Sequence, residues 1–245
     1  MPKQSVELLK KNLPWYKKRW GIVISALAAL FVVFLPFYLV QLHKVYQQFK
    51  SGEFIIAEML EEQAPYKMNN FIDSMSPFFG APNAPITIVE FGDFNCSKTK
   101  AEAAVLKKLA LEFESQVKIY WRNFPAIAEN SAELAKAGVC AHKQGKFWLF
   151  HDYLMWNDGG AEESLSALVQ KVGLDEKKFN ACFQNQLTLA QIKKDYYAAK
   201  DGAVAGTPTF FVNGFKLQGA IPLETWREII NKFVRIYEYE KDNGN

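Results

Sequence analysis

The sequence predicts an α/β domain with a helical insertion, preceded by one N-terminal helix that crosses a membrane. Three observations support this prediction. An uncharged apolar run covers residues 21–40. Two strand-like runs flank a helical segment between residues 86 and 122, and a hairpin signal near residue 213 precedes an amphipathic helix. The chain has 245 residues, so one domain of ordinary size can follow the apolar run.

The apolar run is long enough to cross a bilayer, because twenty helical residues span about 30 Å. Residues 1–20 hold six Lys or Arg and one Glu, whereas residues 41–60 hold two Lys. The positive-inside rule therefore predicts a cytoplasmic tail at 1–20, an anchor at 21–42 and an extracytoplasmic remainder, in a bacterial cytoplasmic membrane. A cleaved signal peptide and a buried core helix are the alternatives.

The tail also explains the net charge of +3, because the rest of the chain holds 23 basic and 25 acidic residues. This near-neutral remainder predicts no nucleic-acid partner. Residues 43–77 are predicted to be a stalk and linker. The pattern is helical and charged to residue 63, as in a dimerising helix or a solvated spacer, and Pro-rich and extended over 64–84.

Short β-branched runs predict the sheet. Residues 86–91 and 117–122 are typical of buried strands, and the helix between them, with Asn95 as N-cap and Cys96 as its first residue, implies parallel pairing. Residues 128–205 are helical in pattern. Asn213-Gly214 then predicts a tight hairpin before a final helix that begins near Pro222.

Four motifs follow one another along this domain. They are the strand into Cys96, Arg-Asn-Phe-Pro at 122–125, the segment 140–152, and Gly-Thr-Pro-Thr-Phe-Phe-Val-Asn-Gly at 206–214. This order resembles the DsbA-like branch of the thioredoxin superfamily, thiol–disulfide oxidoreductases whose thioredoxin fold contains a helical insert. The resemblance implies that fold at 78–240, with the insert at about 128–204. No cofactor and no metal are expected.

The chain departs from this family at its redox motif, which reads Cys-Ser-Lys-Thr at 96–99. Thr99 stands where the resemblance places a second Cys. A thiol at a helix N-terminus is activated because its pKa is lowered. A mixed disulfide at Cys96 would, however, have to be resolved by an external thiol, as in monothiol exchange. The alternative is that Cys96 is an inactive relic.

The resemblance implies further site residues. Pro208 is expected to be cis and to face Cys96, while Thr207 offers its backbone to an extended peptide. Glu90 is either a buried acid that shuttles protons or a solvent-facing acid at a strand end. Asp93 is expected to be exposed. The expected substrate groove comprises Phe94, Ser97, Lys98 and Gly206.

Cys140 and Cys182 are the other two cysteines. Two spare cysteines in an exported domain usually form a disulfide, and some members of the resembled family have a structural disulfide in this part of the insert. Two separate buried thiols, or a bond from either one to Cys96, are the alternatives.

Three hypotheses about function follow. The first is thiol–disulfide exchange on exported Cys-containing proteins or peptides, with an external thiol or redox partner. The second is a redox-inactive module that holds peptides or proteins in the groove at Pro208. The third is a scaffold role in a membrane complex. Thr99 argues against a dithiol oxidase and leaves all three open.

Overall fold

A computed structural model describes residues 19–51, 65–157 and 160–244. The chain divides into two compact units, residues 1–50 and residues 51–245, which are described separately. The helices are α1 (Arg19–Ser51), α2 (Ser97–Glu112), α3 (Ser131–Lys143), α4 (Phe147–Trp156), α5 (Leu165–Lys171), α6 (Glu176–Phe183), α7 (Gln186–Asp201) and α8 (Leu223–Asp242). The strands are β1 (Phe78–Gly80), β2 (Ile86–Gly92), β3 (Val117–Asn123), β4 (Thr209–Val212) and β5 (Phe215–Gln218).

The described part of the N-terminal unit is the helix α1. Its segment Ala26–Tyr46 has 21 residues and a mean hydropathy of 2.0, so it is long and apolar enough to cross a membrane by length and composition. The helix extends beyond the anchor predicted at 21–42 and takes in the first part of the predicted stalk. The basic tail at 1–18 and the stalk at 52–64 lie outside the described residues.

The second unit contains a five-stranded mixed sheet in the order β1-β3-β2-β4-β5. Strands β2 and β3, which α2 connects along the chain, pair in parallel, and the other three pairings are antiparallel. The predicted βαβ order and terminal hairpin are therefore confirmed. The hairpin turns at Asn213 (φ 47°) and Gly214 (φ 96°), the two positive-φ positions that favour Asn-Gly in such turns.

The sheet also contains a strand that the sequence does not predict. The pattern over 64–84 predicts an extended linker, but β1 pairs with β3, and Phe71 is 1% exposed between Phe91 and Phe211. The described part of the predicted linker therefore packs on the domain before residue 78. A three-residue strand is too short to show alternation, and its Pro-rich surroundings are typical of a loop.

The two faces of the sheet bury different sets of side chains because neighbouring strand residues point to opposite sides. Ile86 and Ile88 face a core that includes Leu106 of α2 and Trp226 of α8. Val89 and Phe91 face the other side, together with Phe71 and the end of α7. Both long helices that cover the first face, α2 and α8, are therefore fixed relative to the end of β2, from which the loop to Cys96 leaves.

The helical insert, α3 to α7, contains a covalent cross-link and packs around a core that it shares with Phe94, Ala103 of α2 and Trp121 of β3. Cys140 of α3 is bonded to Cys182 of α6, with an S–S distance of 2.07 Å across a sequence separation of 42 residues. Cys140 is fully buried in this core, which also contains Phe94, Phe147 and Phe150. Cys96 is the free cysteine.

Removing this cross-link should destabilise the domain. A loop of this length constrains the unfolded chain, so Cys140→Ala/Cys182→Ala should lower the free energy of unfolding by about 2–5 kcal/mol. Urea unfolding of the full chain in detergent measures it, with Cys96→Ser as the matched control that keeps the cross-link. A non-reducing peptide map that joined Cys96 to either of the other cysteines would contradict the assignment.

Candidate active site

Cys96 lies at the N-terminus of α2, as the N-cap rather than the first helical residue. The sequence pattern assigns the cap to Asn95, which has a different role. The Asn95 side-chain amide donates to Asn130 Oδ1 at 3.0 Å and to Ser131 Oγ at 2.9 Å. Asn95 thus connects the active-site loop to the start of the insert, and the thiol still faces the free N–H groups of the first helical turn.

Asp93 is the second correction in this loop, because it is buried rather than exposed. Its Oδ2 accepts from the backbone N–H groups of Ala126 and Ile127, at 2.7 and 2.9 Å. Its Oδ1 accepts from the N–H of Asn95 and the hydroxyl of Ser131, both at 2.9 Å. A polar residue beside a loop gives no local signal of burial, because these partners lie 33 to 38 residues away or arise from the turn itself.

The structure brings Cys96 and the proline loop together across 111 residues. The peptide bond between Thr207 and Pro208 is cis, and the Cys96 thiol donates to the Thr207 carbonyl oxygen at 3.2 Å. The Thr209 hydroxyl donates to the carbonyl of Gly206 at 2.7 Å and closes the turn of this loop. The predicted pairing of thiol and proline loop is therefore present in the fold.

The thiol is in an environment with two opposing effects on its acidity. Burial raises the pKa of Cys96, but hydrogen-bond donors outweigh it, so the pKa lies below its ordinary value. The groups that can donate to the sulfur once it is a thiolate are the hydroxyl of Thr207, the N–H and hydroxyl of Thr99, and the N–H of Lys98. A lower pKa increases the thiolate fraction at neutral pH, and thiolate is the nucleophilic form.

Thr99 stands where the resemblance places a second Cys. Its side chain is fully buried, one helical turn after Cys96, and its hydroxyl oxygen has no hydrogen-bond partner among the described residues. The Thr207 hydroxyl is also buried and without a partner in the described part of the chain. Both hydroxyls can therefore donate to a charged group on Cys96 without breaking an existing hydrogen bond.

Two carboxyl groups are buried beside this site. Glu90 is 4% exposed, its Oε1 has no partner among the described residues, and its pKa is raised by burial, then by the charges of Glu102 and Cys96. Glu102 accepts from Trp226 Nε1 and from the Ile221 N–H, yet burial raises its pKa to about 7. Glu90 also lines a cavity of about 230 Å³ that His151 and Lys107 border.

Sequence reasoning missed Glu102, although its spacing gives a signal. It lies four and seven residues before Leu106 and Leu109, on the apolar stripe of α2. A carboxyl group on such a stripe is either buried or at the margin of the stripe. Only the packing of α8 against α2 decides that it is buried.

The expected groove residues divide into two groups. Ser97 and Lys98, the first two residues of α2, are exposed, and Gly206 of the proline loop is half-buried. Phe94, by contrast, is 1% exposed and stacks on Trp121, with ring centroids 5.0 Å apart, so the expectation that it lines the groove was wrong. The described residues contain no group of three or more His, Cys, Asp or Glu placed to hold a metal ion.

A family model described as thioredoxin matches residues 73–232, about two thirds of the chain. The chain belongs to this family. It is 31% identical over 157 residues to a protein of Bacillus cereus named probable disulfide bond formation protein D, covering 59% of this chain and 73% of that one. It is also 32% identical to a Na⁺/H⁺ antiporter of Salinispora arenicola but spans only 22% of that protein.

Two solved structures are similar to this chain in fold. A thioredoxin-like oxidoreductase from Silicibacter pomeroyi has a TM-score of 0.63 and 26% identity, covering 69% of this chain and 98% of its own. The thiol-disulfide exchange protein α-DsbA2 from Wolbachia pipientis has a TM-score of 0.62 and 22% identity, covering 73% and 95%, which shows the fold alone. The predicted resemblance to DsbA-like oxidoreductases, with a thioredoxin fold, is confirmed.

The raised pKa of Glu102 predicts a pH-dependent stability. Between about pH 4.5 and about pH 7 the folded protein holds a proton on Glu102 that the unfolded chain has lost, so stability falls as pH rises through this window. Glu102→Gln should reduce this fall, because an amide does not titrate. Urea unfolding on both sides of the window measures it. The exposed Glu114→Gln is the control, and equal slopes for Glu102→Gln and the unmodified protein would contradict the prediction.

Proposed function

We propose that this protein carries out thiol–disulfide exchange outside the cytoplasmic membrane with Cys96 as the exchanging sulfur. The observation that carries this proposal is the arrangement at α2, where an acidified thiol touches the backbone of a cis-proline loop and a buried Thr99 replaces the resolving Cys. The relatives named for disulfide bond formation and thiol-disulfide exchange support the reaction class.

The reaction needs one attacking and one departing sulfur. Cys96 thiolate attacks a disulfide of an exported protein or peptide, a Cys96–substrate disulfide forms, and the other substrate sulfur departs as a thiolate. Thr99 has no sulfur with which to displace the bound chain. A second thiol, from the substrate or from an external redox partner, must therefore attack and release Cys96.

The substrate chain would lie across the proline loop. Thr207 presents its backbone next to the thiol, and an extended peptide can pair with such a backbone by β-augmentation. Ser97 and Lys98 follow Cys96, Gly206 precedes Thr207, and all three are proposed to contact the peptide. Glu90 is buried nearby, and burial raises its pKa and so favours its protonated form, so it is proposed to exchange the proton of Cys96.

One observation favours a second candidate function, a redox-inactive peptide-binding module. Cys96 is only 7% exposed, so a folded disulfide has little access to its sulfur. In that case the loop at Pro208 would hold peptides without a covalent step. Capture of peptides that survived Cys96→Ser would favour this candidate.

The exchange proposal predicts both the reactivity of Cys96 and the effect of restoring a second sulfur. Alkylation of Cys96 should be faster than that of an ordinary thiol at about pH 6, because its pKa is lowered. In cells, Cys96 should accumulate mixed disulfides. Thr99→Cys should reduce them and gain dithiol oxidase activity on a reduced test protein, since the new sulfur lies one helical turn from Cys96.

The control for this experiment is Thr99→Ser, which restores no sulfur and should leave the mixed disulfides in place. Non-reducing gels and mass spectrometry of the Cys96 peptide measure the adducts. An alkylation profile with the ordinary thiol pKa of about 8.5, together with no gain from Thr99→Cys, would rule out redox exchange and leave the binding module.

We also propose that α1 anchors the protein with its N-terminus in the cytoplasm, on the basis of the segment Ala26–Tyr46 and the six-to-one basic excess of the tail. Protease added outside spheroplasts should then digest residues 65–244 and protect the tail. Lysed spheroplasts are the control, in which the tail is also digested. Release of the full chain into the soluble fraction by salt alone would exclude the anchor.

A further inference from the structure

Three polar groups around Cys96 are buried without a hydrogen-bond partner among the described residues. They are the Thr99 hydroxyl, the Thr207 hydroxyl and Glu90 Oε1. Each unmade hydrogen bond of a buried polar group costs about 1–3 kcal/mol, so such groups in a folded protein require an explanation. All three interact with the same sulfur. Both hydroxyls stabilise its thiolate, and the negative charge of that thiolate raises the pKa of Glu90.

The arrangement suits an oxygen atom bonded to the sulfur more than it suits a second sulfur. A thiolate is a diffuse acceptor, whereas a sulfur-bound oxygen accepts strong, directional hydrogen bonds from hydroxyl donors. The protonated thiol accepts a hydrogen bond from neither hydroxyl and donates its own proton to the Thr207 carbonyl. Donors placed in advance for a charge that develops during a reaction are the usual means of stabilising a transition state.

Access to the sulfur selects a small reagent. Cys96 is 7% exposed and Thr99 is fully buried, so a molecule of two to a few heavy atoms reaches the sulfur more easily than a folded protein disulfide does. Within the Cys-Ser-Lys-Thr motif, no neighbouring sulfur competes for an oxidised Cys96. An oxidised state at this position would therefore persist until an external thiol arrived.

We propose that Cys96 reduces small hydroperoxides and forms a sulfenic acid that the Thr99 and Thr207 hydroxyls stabilise. The sulfur attacks the outer peroxide oxygen, an S–O bond forms and the O–O bond breaks. Cys–SH and ROOH thus become Cys–SOH and ROH, the thiol proton ends on the departing alcohol or water, sulfur loses two electrons, and the peroxide gains them.

The later steps rest on the proposed thiol–disulfide exchange. A substrate thiol R′SH condenses with Cys–SOH to give Cys–S–S–R′ and water. A second thiol then releases Cys96 and leaves with R′ as a disulfide. The peroxide thereby supplies the oxidising equivalent that a second active-site Cys would otherwise have to carry.

The experiment compares two reactions of the same sulfur in the full chain in detergent. Hydrogen peroxide is added and the sulfenic acid is trapped with dimedone on the Cys96 peptide, while iodoacetamide measures thiolate reactivity alone. Thr99→Val removes one hydroxyl at constant shape, so the ratio of the peroxide rate to the alkylation rate should fall by roughly tenfold or more. Thr99→Ser should restore the ratio, and the buried Thr225→Val of α8 is the matched control.

Each outcome decides the proposal. A ratio that is unchanged in Thr99→Val would show that the hydroxyl only lowers the thiol pKa, and would overturn it. A Cys96 that exchanges with a small disulfide but gives no dimedone adduct would overturn it as well, and would leave thiol–disulfide exchange intact. A dimedone adduct at Cys96 without disulfide exchange would support the peroxide step and reject the exchange proposal.

Discussion

The geometry of the active site depends on one buried carboxylate, that of Asp93. It accepts four hydrogen bonds, two from the chain that leaves β3, one from Ser131 at the start of the insert and one from the loop itself. All four of its principal acceptor sites are thus used. Because the same group holds the loop before α2, the exit of β3 and the first turn of α3, the position of Cys96 is coupled to the docking of the insert.

The pKa of the Cys96 thiol depends on the balance between burial, which raises it, and hydrogen bonds donated to the thiolate, which lower it. Burial disfavours the thiolate, yet each hydrogen bond to a charged group contributes about 1.5–3 kcal/mol, and one pKa unit corresponds to about 1.4 kcal/mol. A few donors therefore reverse the effect of burial, and the pKa of the thiol falls. Nearby, Glu90 accepts no hydrogen bond at Oε1 from the described residues, and for that group burial prevails and the pKa rises.

A buried ion network connects the remaining parts of the domain. Arg122 of β3 is 1% exposed and lies 2.9 Å from Asp195 of α7 and 3.3 Å from Asp73, which belongs to the segment before β1 (residues 65–77). Its Nη1 also donates to the Phe71 carbonyl at 2.8 Å. Buried pairs of this kind contribute little net stability, but loss of one partner costs about 3–5 kcal/mol, so the network restricts how the insert and the segment before β1 pack on the sheet.

The sequence alone determined the elements that depend on local pattern. These include the apolar run of α1, the β-branched strands β2 and β3, the Asn-Gly hairpin, and the resemblance that pairs Cys96 with Pro208. The tertiary structure decided which polar residues are buried, as for Asp93 and Glu102. It also decided which aromatic residues lie in the core rather than in the expected groove, as for Phe94. The reason is physical: periodicity reports which side of an element is apolar, whereas the burial of one polar side chain depends on partners from distant segments that only the folded chain brings within hydrogen-bonding distance.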